Sequence, residues 1–377
     1  MSLRRLRAVA RKEFIHVLRD ARSLGMGIAM PVVLLLLFGY ALSLDVDRVP
    51  LVVWDQSQSQ ASREFISQFA GSRYFSLASQ ARDYRELEQA IDSGRALVGL
   101  VVPSDFAADV EASRLTSAQL IADGSDPNTS TLAVSYAEAV TQSWSQAKLF
   151  QALERLGGRR PVAPLEVRLR AWFNDDMQSR NFLVPGLIAV IMMIIAALLT
   201  SVTVAREWER GTMEQLISTP VKGSELVLGK FVPYFVIGMV DVGLAVLMGE
   251  VLFQVPLRGS LALLLGMAAV FFTGTLFMGL LVSILAQNQL LANQLAMLLT
   301  FVPAYLLSGL IFPISNMPKL IQAVTYLIPA RYFVALLRGI YMKGVGLETL
   351  AAEAAMLVAY AAVMVALANL MFKKRLA

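Results

Sequence analysis

The stretch Arg206-Glu-Trp-Glu-Arg-Gly-Thr-Met-Glu-Gln-Leu-Ile-Ser-Thr-Pro220 sets a dense cluster of charge between two apolar runs, 182–205 and 231–253, each long enough to cross a bilayer. Within it, Thr212 followed three residues later by Gln215 is the pattern of a capping box. Gly211 lets the chain turn, and Glu214 falls in the first turn, where the helix dipole favours a negative charge. A short helix is therefore predicted to start at Met213. Its apolar positions Met213, Leu216 and Ile217 share one face, and Thr219-Pro220 ends it, because the residue before a proline is disfavoured in helical geometry. The expectation is a short, half-apolar helix at a membrane surface.

Composition agrees with a membrane protein. The 377 residues are 56% hydrophobic and their mean hydropathy is +0.60, too apolar for an ordinary soluble chain of this size. The net charge of +5 comes from Lys and Arg concentrated beside apolar runs rather than on one basic face, which argues for membrane topology and against nucleic acid as a partner. With no cysteine, the chain has no disulfide, thiol nucleophile or thiolate metal site. The single histidine, His16, lies in a basic amphipathic stretch and reads as an interfacial side chain.

Apolar segments of spanning length run at 24–44, 182–205, 231–253, 260–286, 290–312 and 350–372. Six spans put both termini on one side. The N-terminal flank, the 206–230 loop and the tail carry fourteen Lys/Arg, against five (Arg258, Lys319, Arg331, Arg338, Lys343) on the short segments of the opposite side. The positive-inside rule then places both termini in the cytoplasm. The first span follows a long basic leader and is read as an uncleaved anchor rather than a signal peptide. Before it, Leu3, Leu6, Ala10, Phe14, Val17 and Ala21 recur at nearly helical spacing, which predicts a helix lying in the cytoplasmic interface.

Residues 45–181 are far more polar. Strand-like runs at 49–54, 74–78, 96–102, 118–122 and 167–173 alternate with helical stretches at 57–70, 83–93, 104–113 and 127–156. This is an α/β pattern, and the fold class is an α-helical integral membrane protein with six transmembrane helices and an inserted extracytoplasmic α/β domain. The organisation is 1–44 (interfacial helix and first span), 45–181 (the inserted domain) and 182–377 (spans two to six). After the fifth span the chain reads Ser308-Gly-Leu-Ile-Phe-Pro313 and then two amphipathic pieces around 317–328 and 331–342, divided at Pro329. Each is short and carries Lys or Arg, so 313–343 is expected to form external interfacial or re-entrant helices.

The run Gly211-Thr-Met-Glu-Gln-Leu-Ile-Ser-Thr-Pro220, continuing to Gly229-Lys230, resembles the coupling segment of permease subunits of ABC-2-type (type V) exporters. The short external helices between the fifth and sixth spans are similar to that pattern too. The resemblance implies two permease copies, identical or related, in a bacterial inner membrane, with separate ATPase subunits beneath them that bind ATP and Mg. It assigns Glu207, Arg210, Gly211, Thr212, Glu214 and Pro220 to coupling, and Gly309, Phe312, Pro313 and Pro329 to an external gate region. The large inserted domain resembles that of permeases linked to periplasmic adaptor proteins in efflux of drugs and other small molecules; lipid or glycan export stays open, and lipids are the remaining contacts.

No Walker A sequence occurs; the nearest approach, 223–231, fails on spacing and on its last residue. Neither H-E-x-x-H nor G-x-S-x-G is present, and the carboxylates of the inserted domain are scattered, so the chain reads as a transport subunit without a catalytic, metal or cofactor site of its own. Energy must come from an ATPase partner or an ion gradient. For a proton-coupled carrier the candidate acids are Asp241 and Glu250 in the third span; an ionised Asp at a span centre costs about 2.5 to 3.5 kcal/mol, so Asp241 should face protein or water. Asn293 and Gln294, near the start of the fifth span, are the other polar candidates for a transport path. A four-span mechanotransmitter that passes force to an external partner fits the six-span count poorly.

Overall fold

The computed structural model describes residues 2–20, 24–41, 48–112, 114–155, 172–174 and 178–372. The chain divides into two compact units, one made of Met1–Ser43 with Arg170–Ala377 and the other of Leu44–Leu169.

The first unit opens with α1 (Leu3–Arg19). Of the apolar stripe read from sequence, Leu3 and Phe14 are exposed and Val17 is buried, with Glu13 buried beside it. The face turned to protein follows Leu6, Val9, Glu13 and Val17, still at three- and four-residue spacing, while Phe14, Ile15 and Leu18 are left on the outer side. A π turn at Gly25–Ala29 leads into α2 (Met30–Ala41). This apolar segment is shorter than the predicted 24–44 span, whose end lies outside the described residues.

The second unit contains β1 (Val49–Asp55), α3 (Gln60–Ala70), β2 (Phe75–Gln80), α4 (Tyr84–Asp92), β3 (Val98–Val102), α5 (Phe106–Glu111), β4 (Gln119–Ala122) and α6 (Pro127–Arg155). The sheet order is β2-β1-β3-β4; β1 runs parallel to both neighbours, and β4 is antiparallel to β3. Alternate side chains of a strand point to opposite faces. Val49, Leu51 and Val53 pack with Phe65, Phe69, Phe106 and Trp144 on one face, and Val52 packs with Leu87 and Ala90 on the other. Both faces of β1 are buried, so its sequence is a near-continuous apolar run. The fifth predicted strand, 167–173, falls largely outside the described residues; Trp172 and Phe173 are bends.

The first unit resumes with α7 (Ser179–Ser201), α8 (Thr203–Glu209), α9 (Thr212–Ser218), α10 (Gly223–Val251), α11 (Leu261–Ala286) and α12 (Gln289–Leu307). Then come α13 (Lys319–Thr325), α14 (Pro329–Arg338) and α15 (Ala351–Met371). Among the described residues, five helices are long and apolar enough to cross a membrane: Ser179–Glu209, Gly223–Val251, Leu261–Ala286, Gln289–Leu307 and Ala351–Met371. The pieces Lys319–Thr325 and Pro329–Lys343 meet at 84°. Pro329 opens the second of them, a position where its missing N–H leaves no helical bond unmade.

The Ser179–Ser201 helix is the buried centre of this unit. It approaches α11 so closely that a Cβ on Gly279 would overlap Thr200 Oγ1 and lie 2.5 Å from the carbonyl of Ala197. Thr200 Oγ1 donates to the carbonyl of Leu276 across the same contact, at 2.9 Å. Where the helix breaks at Val202, Ser283 Oγ of α11 accepts from the amides of Val204 and Ala205, both at 2.9 Å. In a low-dielectric setting a broken helix needs such replacement partners.

Candidate coupling site

The break after Ser201 sets up the site, since it allows α8, Gly211 and α9 to turn as a compact segment. The expected capping box is not formed. Gly211 adopts φ +68° and itself serves as N-cap, so the helix begins at Thr212 and no side chain caps it. Freed from capping, the Thr212 hydroxyl donates to the carboxylate of Glu207. Met213 is buried with Val204, Leu226, Phe277 and Phe372, with Leu216 packed at the edge of that cluster; the Ile217 side chain lies outside the described set. Thus α9 sits on the helical bundle by its apolar face while Glu214 and Gln215 remain exposed.

Around Glu207 the chain assembles two acids and two bases from three elements. Lys230 Nζ, on α10, lies 2.9 Å from Glu13 Oε1 of α1 and 3.2 Å from Glu207 Oε1 of α8. Lys12 Nζ approaches the same Glu207 oxygen at 2.9 Å. Lys230 and Glu13 are almost wholly buried, so each ion is desolvated and depends on its counter-charge. Burial draws the Lys12 ammonium down, but Glu207 and Glu13 outweigh it and hold its pKa above the ordinary lysine value. Lys12 is therefore charged at neutral pH.

The same three elements are tied at further points. Arg206 Nη1 lies 3.0 Å from His16 Nε2 and 3.3 Å from Asp20 Oδ2. Arg5 Nη1 donates to the carbonyl of Pro220 at 2.6 Å, and Glu225 accepts from the amides of Ser2 and Lys222. The backbones of α1 and α10 come close, for a Cβ on Gly229 would meet Val9 Cγ1 at 2.6 Å. Glu209 accepts from the amide and side chain of Gln289, linking the segment to the start of α12.

Of the coupling residues inferred from sequence, Glu207 and Thr212 thus meet in the network, Gly211 supplies the turn, and Pro220 is held by α1. Arg210 and Glu214 stand exposed. Asp241 is buried in α10, with Oδ1 lacking a hydrogen-bond partner among the described residues. Glu250, Asn293 and Gln294 are exposed, and no hydrogen bond joins Asp241 to them.

At the other end of the bundle Gly309 turns at φ +82°. Arg338 gathers its surroundings, donating to the carbonyls of Gly309 (2.9 Å), Leu310 (3.2 Å) and Phe182 (3.3 Å), with its guanidinium 3.5 Å from the centroid of the Phe182 ring. Phe312 and Pro313 are exposed, and Pro329 is buried.

The family described as ABC-2 family transporter protein matches residues 22–370. The chain belongs to this family. Over its full length this ABC-2 chain is 37% identical to the probable multidrug ABC transporter permease YbhS of Escherichia coli K12, covering 98% of that protein. It is 30% identical to the probable multidrug ABC transporter permease YbhR of the same organism, over 91% of each chain. It is also 22% identical to ABC transporter G family member 20 of Dictyostelium discoideum, of which it spans 46%. The chain is accordingly a membrane transport subunit without an ATPase site of its own, and an ABC permease works as a pair with an ATPase partner.

Glu13 and Lys12 carry no assignment from sequence, Lys230 enters there only as the end of the segment that carries the resemblance, and Arg338 only as a basic residue of the short outer segments. A signal existed for Glu13, which interrupts the apolar face of α1 in register with Val9 and Val17, and for Lys230, which precedes a long apolar run. Neither spacing says that the two charges meet.

Proposed function

We propose that this chain is the permease of an ATP-driven exporter that moves a drug-like or other amphipathic small molecule out of the cytoplasm or the inner leaflet. ATP and Mg are bound by the partner ATPase, and α9 receives its stroke. The observation that carries this reading is that α9 is fixed to the bundle by Met213 and reached through Glu207 by two lysines, yet leaves Glu214 and Arg210 exposed for a partner. A push on α9 is then shared between α1, α8 and α10 rather than absorbed locally. In this reading both termini face the cytoplasm, 45–181 lies outside where it can meet a periplasmic adaptor, and lipids cover the exposed apolar faces of the spans. The names of the relatives YbhS and YbhR, probable multidrug permeases, support a multidrug substrate; a lipid or glycan is the alternative cargo.

Purification from native membranes tests the reading. The wild-type chain should bring an ATPase with it, and Glu214→Lys should weaken that association while inserting normally, because it sets a cation at the positive end of the helix dipole. If Glu214→Lys retains the ATPase and transports at the wild-type rate in vesicles, α9 is not the coupling helix. The unpaired oxygen of Asp241 favours a second reading, a proton-coupled carrier. Transport without ATP that is abolished by Asp241→Asn and by an uncoupler would select it.

A further inference from the structure

A cavity of about 500 Å³ lies at the end of the helical bundle opposite the α8–α9 segment. Three helices of spanning length start or stop on it: Phe182 near the start of α7, Ser308 and Gly309 just past α12, and Glu353 in the first turn of α15. The apolar run of each span ends there, which is the level of the headgroups in a bilayer. Tyr326 and Tyr332 also line the cavity, and tyrosine collects at that level because its ring is apolar and its hydroxyl polar.

Its charge comes from α14. Arg331, Ala335 and Arg338, at i, i+4 and i+7, share one face of that helix, and the small Ala335 leaves room between the two guanidinium groups. Both arginines are half-buried and held by neutral partners. Arg338 donates to the carbonyls of Phe182, Gly309 and Leu310. Arg331 donates to the Gln322 carbonyl at 3.4 Å and to Thr325 Oγ1, with its Cζ 3.9 Å from the Tyr326 ring centroid. Each guanidinium carries more N–H donors than these bonds use, and among the described residues neither has a carboxylate within ion-pair distance. Glu353 is the acid on the cavity wall, so positive charge is in excess. Charge at the edge of an apolar bundle is ordinarily paired.

We infer that this cavity holds the headgroup of an anionic phospholipid, its phosphate taking spare N–H donors of Arg331 and Arg338. Guanidinium groups pair with phosphate through parallel N–H···O bonds, and the phosphate supplies the negative charge that the wall lacks. The lipid, rather than a soluble anion, follows from the far side of the cavity. Met356 stands three residues after Glu353 on the same face of α15, lines the cavity and is 43% exposed, so the wall passes from charged to apolar along the span. Leu306 and Phe312, before and after the turn at Gly309, are exposed as well. An acyl chain covers such side chains; a free anion leaves them bare. A zwitterionic headgroup would bring a further cation to a cavity already in positive excess. The inference rests on the chain spanning a membrane and not on the cargo, the ATPase or the direction of transport.

The test reads the cavity itself. Met356→Trp places a fluorophore at its exposed apolar edge. The full chain is reconstituted in phosphatidylcholine bilayers containing a small fraction of lipid with dibrominated acyl chains, which quench tryptophan on contact. The brominated lipid is either phosphatidylglycerol or phosphatidylcholine, and the signal of the chain without the substitution is subtracted. Phosphatidylglycerol is expected to quench as if bound about three- to ten-fold more tightly. Adding Arg331→Gln should bring that ratio close to unity, and adding Glu353→Gln should raise it. Equal quenching by the two lipids, or a ratio that Arg331→Gln leaves unchanged, overturns the site. If inorganic phosphate at constant ionic strength abolishes the preference, the cavity takes a free anion and the lipid assignment falls. Arg331 joins the two pieces of the bent pair. Should Arg331→Gln therefore unfold early, Glu353→Gln decides alone, and a ratio that does not rise overturns the proposal.

Discussion

A lysine ammonium that is almost wholly buried has to be matched in charge, and Lys230 is matched by one carboxylate from α1 and one from α8. Removing one member of such a group leaves an uncompensated buried charge, which costs about 3–5 kcal/mol. Lys230→Met is therefore expected to lower the unfolding temperature of the purified chain sharply, and adding Glu13→Gln should restore part of the loss. A Lys230→Met protein that melts with the wild type would show that the two carboxylates do not depend on it. Thr212 gives a second check, because its hydroxyl serves Glu207 and not the helix end. In a double-mutant cycle Thr212→Ala and Glu207→Gln should couple by about 0.5 kcal/mol or more; strict additivity would restore the capping role read from sequence. That role was misread for a local reason. The spacing of Thr212 and Gln215 fits a capping box, but Gly211 can take a left-handed conformation and cap the helix by backbone alone. What sequence could not supply was the partner of each charge: Glu13 and Lys230 are 217 residues apart, and only the packing of α1 against α10 brings them together.

At the scale of elements, periodicity was the more informative signal. The strand runs at 49–54, 74–78, 96–102 and 118–122 coincide with β1 to β4 within a few residues; for the central pair β1 and β3 the reason is that buried strands are short apolar runs bounded by turns. Sheet order was not legible, since nothing local says that β3 pairs with β1. The break in the second predicted span was also hidden: Thr200, Ser201 and Thr203 around Val202 are small polar residues that an apolar helix tolerates, and the break is stabilised from another helix by Ser283. Ser283→Ala would orphan two amides. A loss of about 1–3 kcal/mol follows, read as a lower unfolding temperature. Thr273→Ala is the control, since that hydroxyl bonds only back to Ala269 within its own helix and its removal should change little. Equal effects of the two substitutions would mean that the break does not lean on Ser283.

For the molecule as a whole the question is which faces of the bundle meet which compartment. The asymmetry of basic residues argues for the α8–α9 segment and the N-terminal helix inside, and several of the residues behind that asymmetry now have partners: Lys12 and Lys230 on Glu207, Arg206 beside Asp20, Arg5 on Pro220. These basic residues therefore hold the candidate coupling site together through Glu207, Asp20 and the Pro220 carbonyl, a structural reason for their presence besides membrane topology. The absence of native cysteine makes single introduced cysteines clean reporters of sidedness. Ser143, exposed on α6, and Ser224, exposed at the start of α10, are suited to it. With an impermeant maleimide on intact spheroplasts, Ser143→Cys should label at once and Ser224→Cys only after the membrane is opened. The reverse pattern would turn the chain over, placing α9 where no cytoplasmic ATPase can reach it, and the coupling role of Glu214 would fall with it.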